Sequence, residues 1–159
     1  MRIPSFDLDD EVSVAAGKNS TKEVIEALGR TQFKRLQYEC FHKIVTNSTT
    51  NYVIASGGEV IRPEYDTESI LKIRQLIKEY TYNICLIPSK DLDEDIEVFY
   101  PRLNDGKRYN SNVKEEEFRT YIEVALPQYF DIADVIIFTH DAKIDDIFNL
   151  ITNKVLLID

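Results

Sequence analysis

The chain has 159 residues, 43% hydrophobic and 30% charged, enough for a core and a charged surface in one domain of ordinary size. Nineteen Lys and Arg against 28 Asp and Glu leave a formal charge of −9, which excludes nucleic-acid binding driven by a basic surface. No apolar run approaches the about 18 residues that span a membrane, and Asp7, Asp9 and Asp10 come too early for a secretory leader, so a cytoplasmic protein is expected.

In chain order, "SFDLD" reads as a short strand ending in carboxylates, and "DEVSVAA" as a helix. "TKEVIEAL" is a short helix with Ser20 as its N-cap and Glu23 three residues on, the pattern of a capping box. "TQFKRLQYECFHKIV" is a longer helix with Phe33, Leu36, Cys40 and Ile44 on one face. "NYVIAS" is a buried strand stopped by Gly57-Gly58, "TESILKIRQLIKEY" an amphipathic helix, and "YNICLIP" a buried strand closed by Pro88. Residues 102–113 are polar and turn-rich and read as a loop. "KEEEFRTYIEVALPQYF" is a helix ending near Pro127, "ADVIIFT" a strand, "KIDDIFNLI" a helix and "KVLLID" a final strand. Apolar strands alternating with amphipathic helices predict one α/β domain over 1–159, a parallel sheet with helices on both faces.

"AAGKNST" looks like half of a phosphate-binding loop, but its spacing is wrong. The glycine that should stand five residues before Gly17-Lys18 is Val12, a helix intervenes after the strand, and Ser20 and Thr21 already serve a helix start. No other glycine-rich stretch offers a triphosphate cradle. Cys40 and Cys85 lie in apolar segments and read as reduced core thiols. His42 reads as structural, and His140, after a strand, as the more interesting histidine.

The order of "IPSFDLDDEV", "GKNSTKEVIEALGRTQFKRLQYE", "YVIASGGEV", "RLNDGKRY" and "LPQYFDIAD" resembles shikimate kinase from that family's second strand onward. The resemblance implies a P-loop kinase fold lacking the N-terminal strand, the P-loop and the first helix. It implies Asp7 as a Mg²⁺ ligand and Asp9, Lys34, Gly57 and Gly58 at the substrate. Arg102 and Arg108 would be nucleotide-contacting lid residues. Both aspartates equally suit plain helix capping. Several positions depart from the family pattern. Lys34 stands for an arginine and loses its bidentate fork. Glu59 replaces a third glycine, Ala125 a second substrate arginine, and Tyr109 a proline after the lid arginine.

A central strand removed from a parallel sheet leaves two neighbours with unpaired backbone groups. Val155–Ile158 is expected to fill that slot. The expected function is a non-catalytic relative binding a small ligand or a protein. The alternative is an ATP- and Mg²⁺-dependent kinase whose P-loop segment comes from elsewhere. Neither nucleic acid nor membrane is an expected partner; a homo-oligomer is left open.

Overall fold

Asp7 ends a strand and starts a helix. Strand β1 (Ser5–Asp7) runs directly into α1 (Leu8–Ala15), because the Asp7 carboxylate accepts from the backbone N–H of Asp9 (2.9 Å) and Asp10 (3.4 Å). Such a cap satisfies helix donors that otherwise lack partners. Asp9, Asp10 and Glu11 follow in the first turn, where the helix dipole favours acids. Asp9 therefore sits on a helix, not on the strand end. The computed structural model describes residues 3–58, 60, 61, 67–103 and 113–155.

Helix α1 ends where the false phosphate loop lies. Gly17 has φ +64°, its N–H donates to Val14 O (3.0 Å), and the Lys18 N–H donates to Ser13 O (2.9 Å). This is a Schellman ending, which needs a residue free to adopt a left-handed conformation. Helix α2 (Thr21–Asn47) opens two residues later. The Glu23 N–H donates to Ser20 Oγ (3.3 Å), and the Glu23 carboxylate accepts from the Asn19 N–H (3.2 Å). Gly29, with φ +78°, breaks α2 into the two helices expected from the sequence.

β2 (Val53–Ala55) pairs parallel with β1, Ser5 opposite Val53 and Asp7 opposite Ala55. α3 (Thr67–Tyr80) buries Ile70, Ile73 and Ile77. These elements form one compact unit, Met1–Thr81, with a core that includes Leu8, Val12, Val24, Phe33 and Phe41.

The second unit, Tyr82–Asp159, holds β3 (Ile84–Ile87), α4 (Leu92–Leu103), α5 (Glu115–Ile132), β4 (Val135–Phe138) and α6 (Ile144–Val155). β3 and β4 pair parallel, Ile84 opposite Val135 and Ile87 opposite Phe138. Ile96 of α4 and Phe118 and Ile122 of α5 make its helical core.

Four expectations change. The strands form two two-stranded parallel sheets, so β2 and β3 each keep one edge unpaired among the described residues. Helix α4 was not legible as a helix: Asp91 caps it through the Asp93 and Glu94 amides (2.8 and 3.4 Å), and Pro101 lies inside it. Helix α5 passes through Pro127 to Ile132, whose side chain is buried. Packing of that last turn outweighs the one hydrogen bond a proline removes. Val155 closes α6 rather than opening a strand, because the amphipathic spacing from Ile144 carries through it. The rest of the expected strand, 156–159, lies outside the described residues.

Candidate functional site

In the first unit the site is built at the carboxyl ends of β1 and β2, the edge where parallel α/β sheets collect ligands. β1 ends at Asp7, and the first turn of α1 then raises Asp9. β2 ends at Ala55, and the chain turns at Gly57, with φ +71°. A Cβ placed on Gly57 would lie 3.6 Å from Asp9 Oδ2 and 3.9 Å from its Oδ1. The two expected substrate residues, 48 positions apart, are thus brought together. Gly58 follows in an exposed turn, and Glu59 lies outside the described residues.

Lys34 and Gln37 are one turn apart on α2 and almost fully withdrawn from solvent, at 0% and 1% exposure. A buried lysine is rare, because removing an ammonium group from water is costly without compensating groups. The Lys34 ammonium also lies 5.9 Å from the centroid of the Phe33 ring. Gln37 Oε1 is a buried acceptor with no donor among the described residues. The sequence marked Lys34 as a site residue; the burial of Gln37 was not legible, since one polar residue on an amphipathic helix does not declare its face.

Asp7 has only part of its carboxylate to offer, as Oδ1 already caps α1. No group of three or more His, Cys, Asp or Glu side chains gathers around it or elsewhere among the described residues. One carboxylate oxygen matches Mg²⁺ only in company with substrate phosphates, so these residues alone do not make a metal site.

The second unit carries a separate open cleft of about 730 Å³ at the carboxyl ends of β3 and β4, lined by Pro88, Ser89, Lys90, Phe138, His140 and Asp141. The two strand-end loops are tied together by the Thr139 N–H on Ile87 O (2.9 Å) and the His140 N–H on Pro88 O (2.9 Å). The Lys90 ammonium lies 5.2 Å from the Phe138 ring centroid, an attractive cation–π placement. His140 Nε2 stands 4.0 Å from Asp141 Oδ1. His42 instead packs against the Tyr38 ring, 5.8 Å between centroids. Below the cleft, buried Asp95 accepts from the Ser89 N–H (2.8 Å). Burial pushes its carboxyl above the ordinary range, against the lowering effect of that hydrogen bond, and the Glu94 and Asp91 charges push the same way as burial. Asp95 is a structural anchor that the sequence did not reveal.

Arg102 lies in the last turn of α4, exposed, and not in a loop. Arg108 lies outside the described residues. The base of the expected lid is fixed by Tyr100, whose hydroxyl donates to Val113 O (3.2 Å) and whose ring lies 6.0 Å from that of Phe118. Ala125 is buried in α5, so no cation stands at that position. Burial raises the Cys40 and Cys85 thiols above their usual range and both are free; Cys40 is a core thiol as expected, whereas Cys85 is only half-buried. No described helix is long and apolar enough to cross a membrane.

The family profile described as shikimate kinase matches residues 1–156. No curated protein matches the chain by sequence. Among solved structures, the shikimate kinase of Acinetobacter baumannii in complex with shikimate is 18% identical, with a TM-score of 0.70; the match covers 97% of this chain and 79% of that one. The shikimate kinase of Bacteroides thetaiotaomicron is 18% identical, with TM-score 0.66 and 98% and 84% coverage. That of Aquifex aeolicus is 19% identical, with TM-score 0.66 and 96% and 81% coverage. At these identities the structural likeness establishes the fold.

Proposed function

Because the chain belongs to the shikimate kinase family, we propose that by itself it is a non-catalytic relative that binds a small polyhydroxylated carboxylate of the shikimate class. The observation that carries this reading is the approach of the Asp9 carboxylate to Gly57, 3.6 Å from the position of its absent side chain. A carboxylate accepts from hydroxyls, and a glycine leaves the backbone open to a ligand. Lys34 stands at the position the family resemblance assigns to a substrate cation, with less directional grip than an arginine. Gly58 extends the open backbone.

The non-catalytic half of the reading rests on where the amides go. Phosphoryl transfer depends on positioning and charge neutralisation by loop amides, a lysine and Mg²⁺. In "AAGKNSTKE" the Gly17 and Lys18 amides close α1, and the Asn19 and Glu23 amides belong to the capping box of α2. They are not available to phosphates.

A second reading is favoured by one observation. The solved kinases extend beyond the matched region by about a fifth of their length, and β2 and β3 each have an edge unpaired among the described residues. A segment supplying strand, P-loop and helix, in the same polypeptide or from another chain, would make an ATP-dependent phosphotransferase to a hydroxyl acceptor. Asp7 would then share Mg²⁺ with the phosphates, and Arg102 and Arg108 would reach the nucleotide.

Calorimetric titration of the purified chain with shikimate and, separately, with ATP–Mg²⁺ tests the choice. Shikimate is expected to bind, Asp9→Asn to weaken it at least about tenfold (the loss of one charge-assisted hydrogen bond), and ATP–Mg²⁺ to give no heat. Tight nucleotide binding, or phosphoryl transfer by this chain alone, overturns the first reading.

A further inference from the structure

Among the described helices the last is the one that buries no residue: Ile147 and Ile151 are half-buried, and the rest of its apolar side is exposed. Ile144, Ile147, Phe148, Ile151 and Val155 recur at helical spacing and form one stripe along the whole of α6. Ile144 is 82% exposed, Phe148 67% and Val155 44%, and α6 buries no residue. Each of the other five helices buries at least one apolar side chain. No other described element packs broadly against α6. A stripe this regular, exposed at Ile144, Phe148 and Val155, marks an association surface rather than scattered surface apolarity.

We propose that α6 docks antiparallel on the α6 of a second copy of this chain. The charges at its two ends select both the occupant and the direction. The amino-terminal end carries Asp141, Asp145 and Asp146 against a single Lys143, and the last turn carries Lys154. Antiparallel self-pairing sets each acidic end beside the partner's Lys154 and opposes the two helix dipoles. Parallel pairing would stack acid on acid. The stripe is self-complementary because it runs the full length, about 18 Å at 1.5 Å per residue, so a two-fold axis near its middle repeats every contact. Two short helices bury less than the about 1,200 Å² of a standard interface, which places this dimer in the weak, concentration-dependent class. The inference stands apart from the ligand-binding reading, since none of its residues belongs to the site around Asp9.

Sedimentation velocity of the full chain over a concentration series is the test. A monomer–dimer equilibrium is expected, with Phe148→Glu weakening it at least tenfold. Circular dichroism should be unchanged, since Phe148 is exposed. Lys154→Glu is expected to weaken it two- to threefold, and the added pair Asp145→Lys and Asp146→Lys to restore it. On mixing, Ile144→Cys and Val155→Cys chains should form the mixed disulfide in preference to either homodimer. A chain that stays monomeric, or a dimer indifferent to Phe148→Glu, overturns the proposal. A preference for the two homodisulfides overturns the antiparallel arrangement.

Discussion

A methyl group added at Gly57 would meet Asp9 Oδ2 at 3.6 Å, an ordinary contact, while the backbone there has φ +71°. The cost of Gly57→Ala is therefore conformational, about 1–2 kcal/mol, and should register as a lowered melting temperature together with weaker ligand binding. Asp9→Asn keeps shape and leaves the backbone relaxed, removing one acid from the first turn of α1, so it should weaken binding with a smaller loss of melting temperature than Gly57→Ala. Asp95 gives the pH dependence. Burial, opposed by the Ser89 hydrogen bond, raises its folded pKa above the unfolded one. Between those values the folded protein holds more protons than the unfolded chain, so stability falls as pH rises through that window and the penalty is complete above it. Asp95→Asn keeps an acceptor for the Ser89 amide and removes the charge. Its melting temperature should exceed that of the parent at neutral pH, and the difference should vanish below the carboxylate range. A difference that ignores pH would refute the burial of a charge as its cause. Asp95→Ala instead orphans the amide and should cost about 1–3 kcal/mol.

At the scale of elements, helix ends were the most legible feature. Ser20 and Glu23 act through their immediate neighbours, so the capping box could be read from spacing alone, whereas the Schellman ending at Gly17 emerged only from its hydrogen bonds. The break at Gly29 was legible for the same reason. Proline misled: α5 continues through Pro127 because burial of Ile132 holds its last turn, a tertiary effect. Helix α4 was missed because its apolar positions, Ile96, Phe99 and Leu103, sit among acids and a proline and make sense only against Phe118 and Ile122 of α5. The strands carry a further prediction. The Val53 N–H donates to Pro4 O (2.9 Å), so the next amide, Ile54, points to the unpaired edge of β2. Amide exchange followed by NMR should be at least about tenfold faster at Ile54 than at Val53; equal protection would mean that the edge is covered.

Across the whole molecule the composition of the chain and its architecture speak to different questions. A charge of −9 limits the partners, disfavouring nucleic acid. The family profile over 1–156 identifies the lineage. Neither decides activity, because activity in this fold depends on groups arriving from several strand ends at once. The calorimetric experiment belongs to this scale for that reason. A chain whose described residues form two short parallel sheets in two compact units has the material for ligand contacts at Asp9 and Gly57, and the amides of its Gly17-Lys18 turn are consumed by a helix end.

The sequence by itself determined the alternation of strands and helices, the family, the caps, and the false phosphate loop, because each rests on neighbours within a few residues or on an ordered series of them. Only the tertiary structure decided that Asp9 faces Gly57, that Lys34 and Gln37 are buried together on α2, that Arg102 is helical, and that α6 buries none of its stripe fully. Those facts depend on which surfaces meet and which are left over, and distance along the chain carries no record of that.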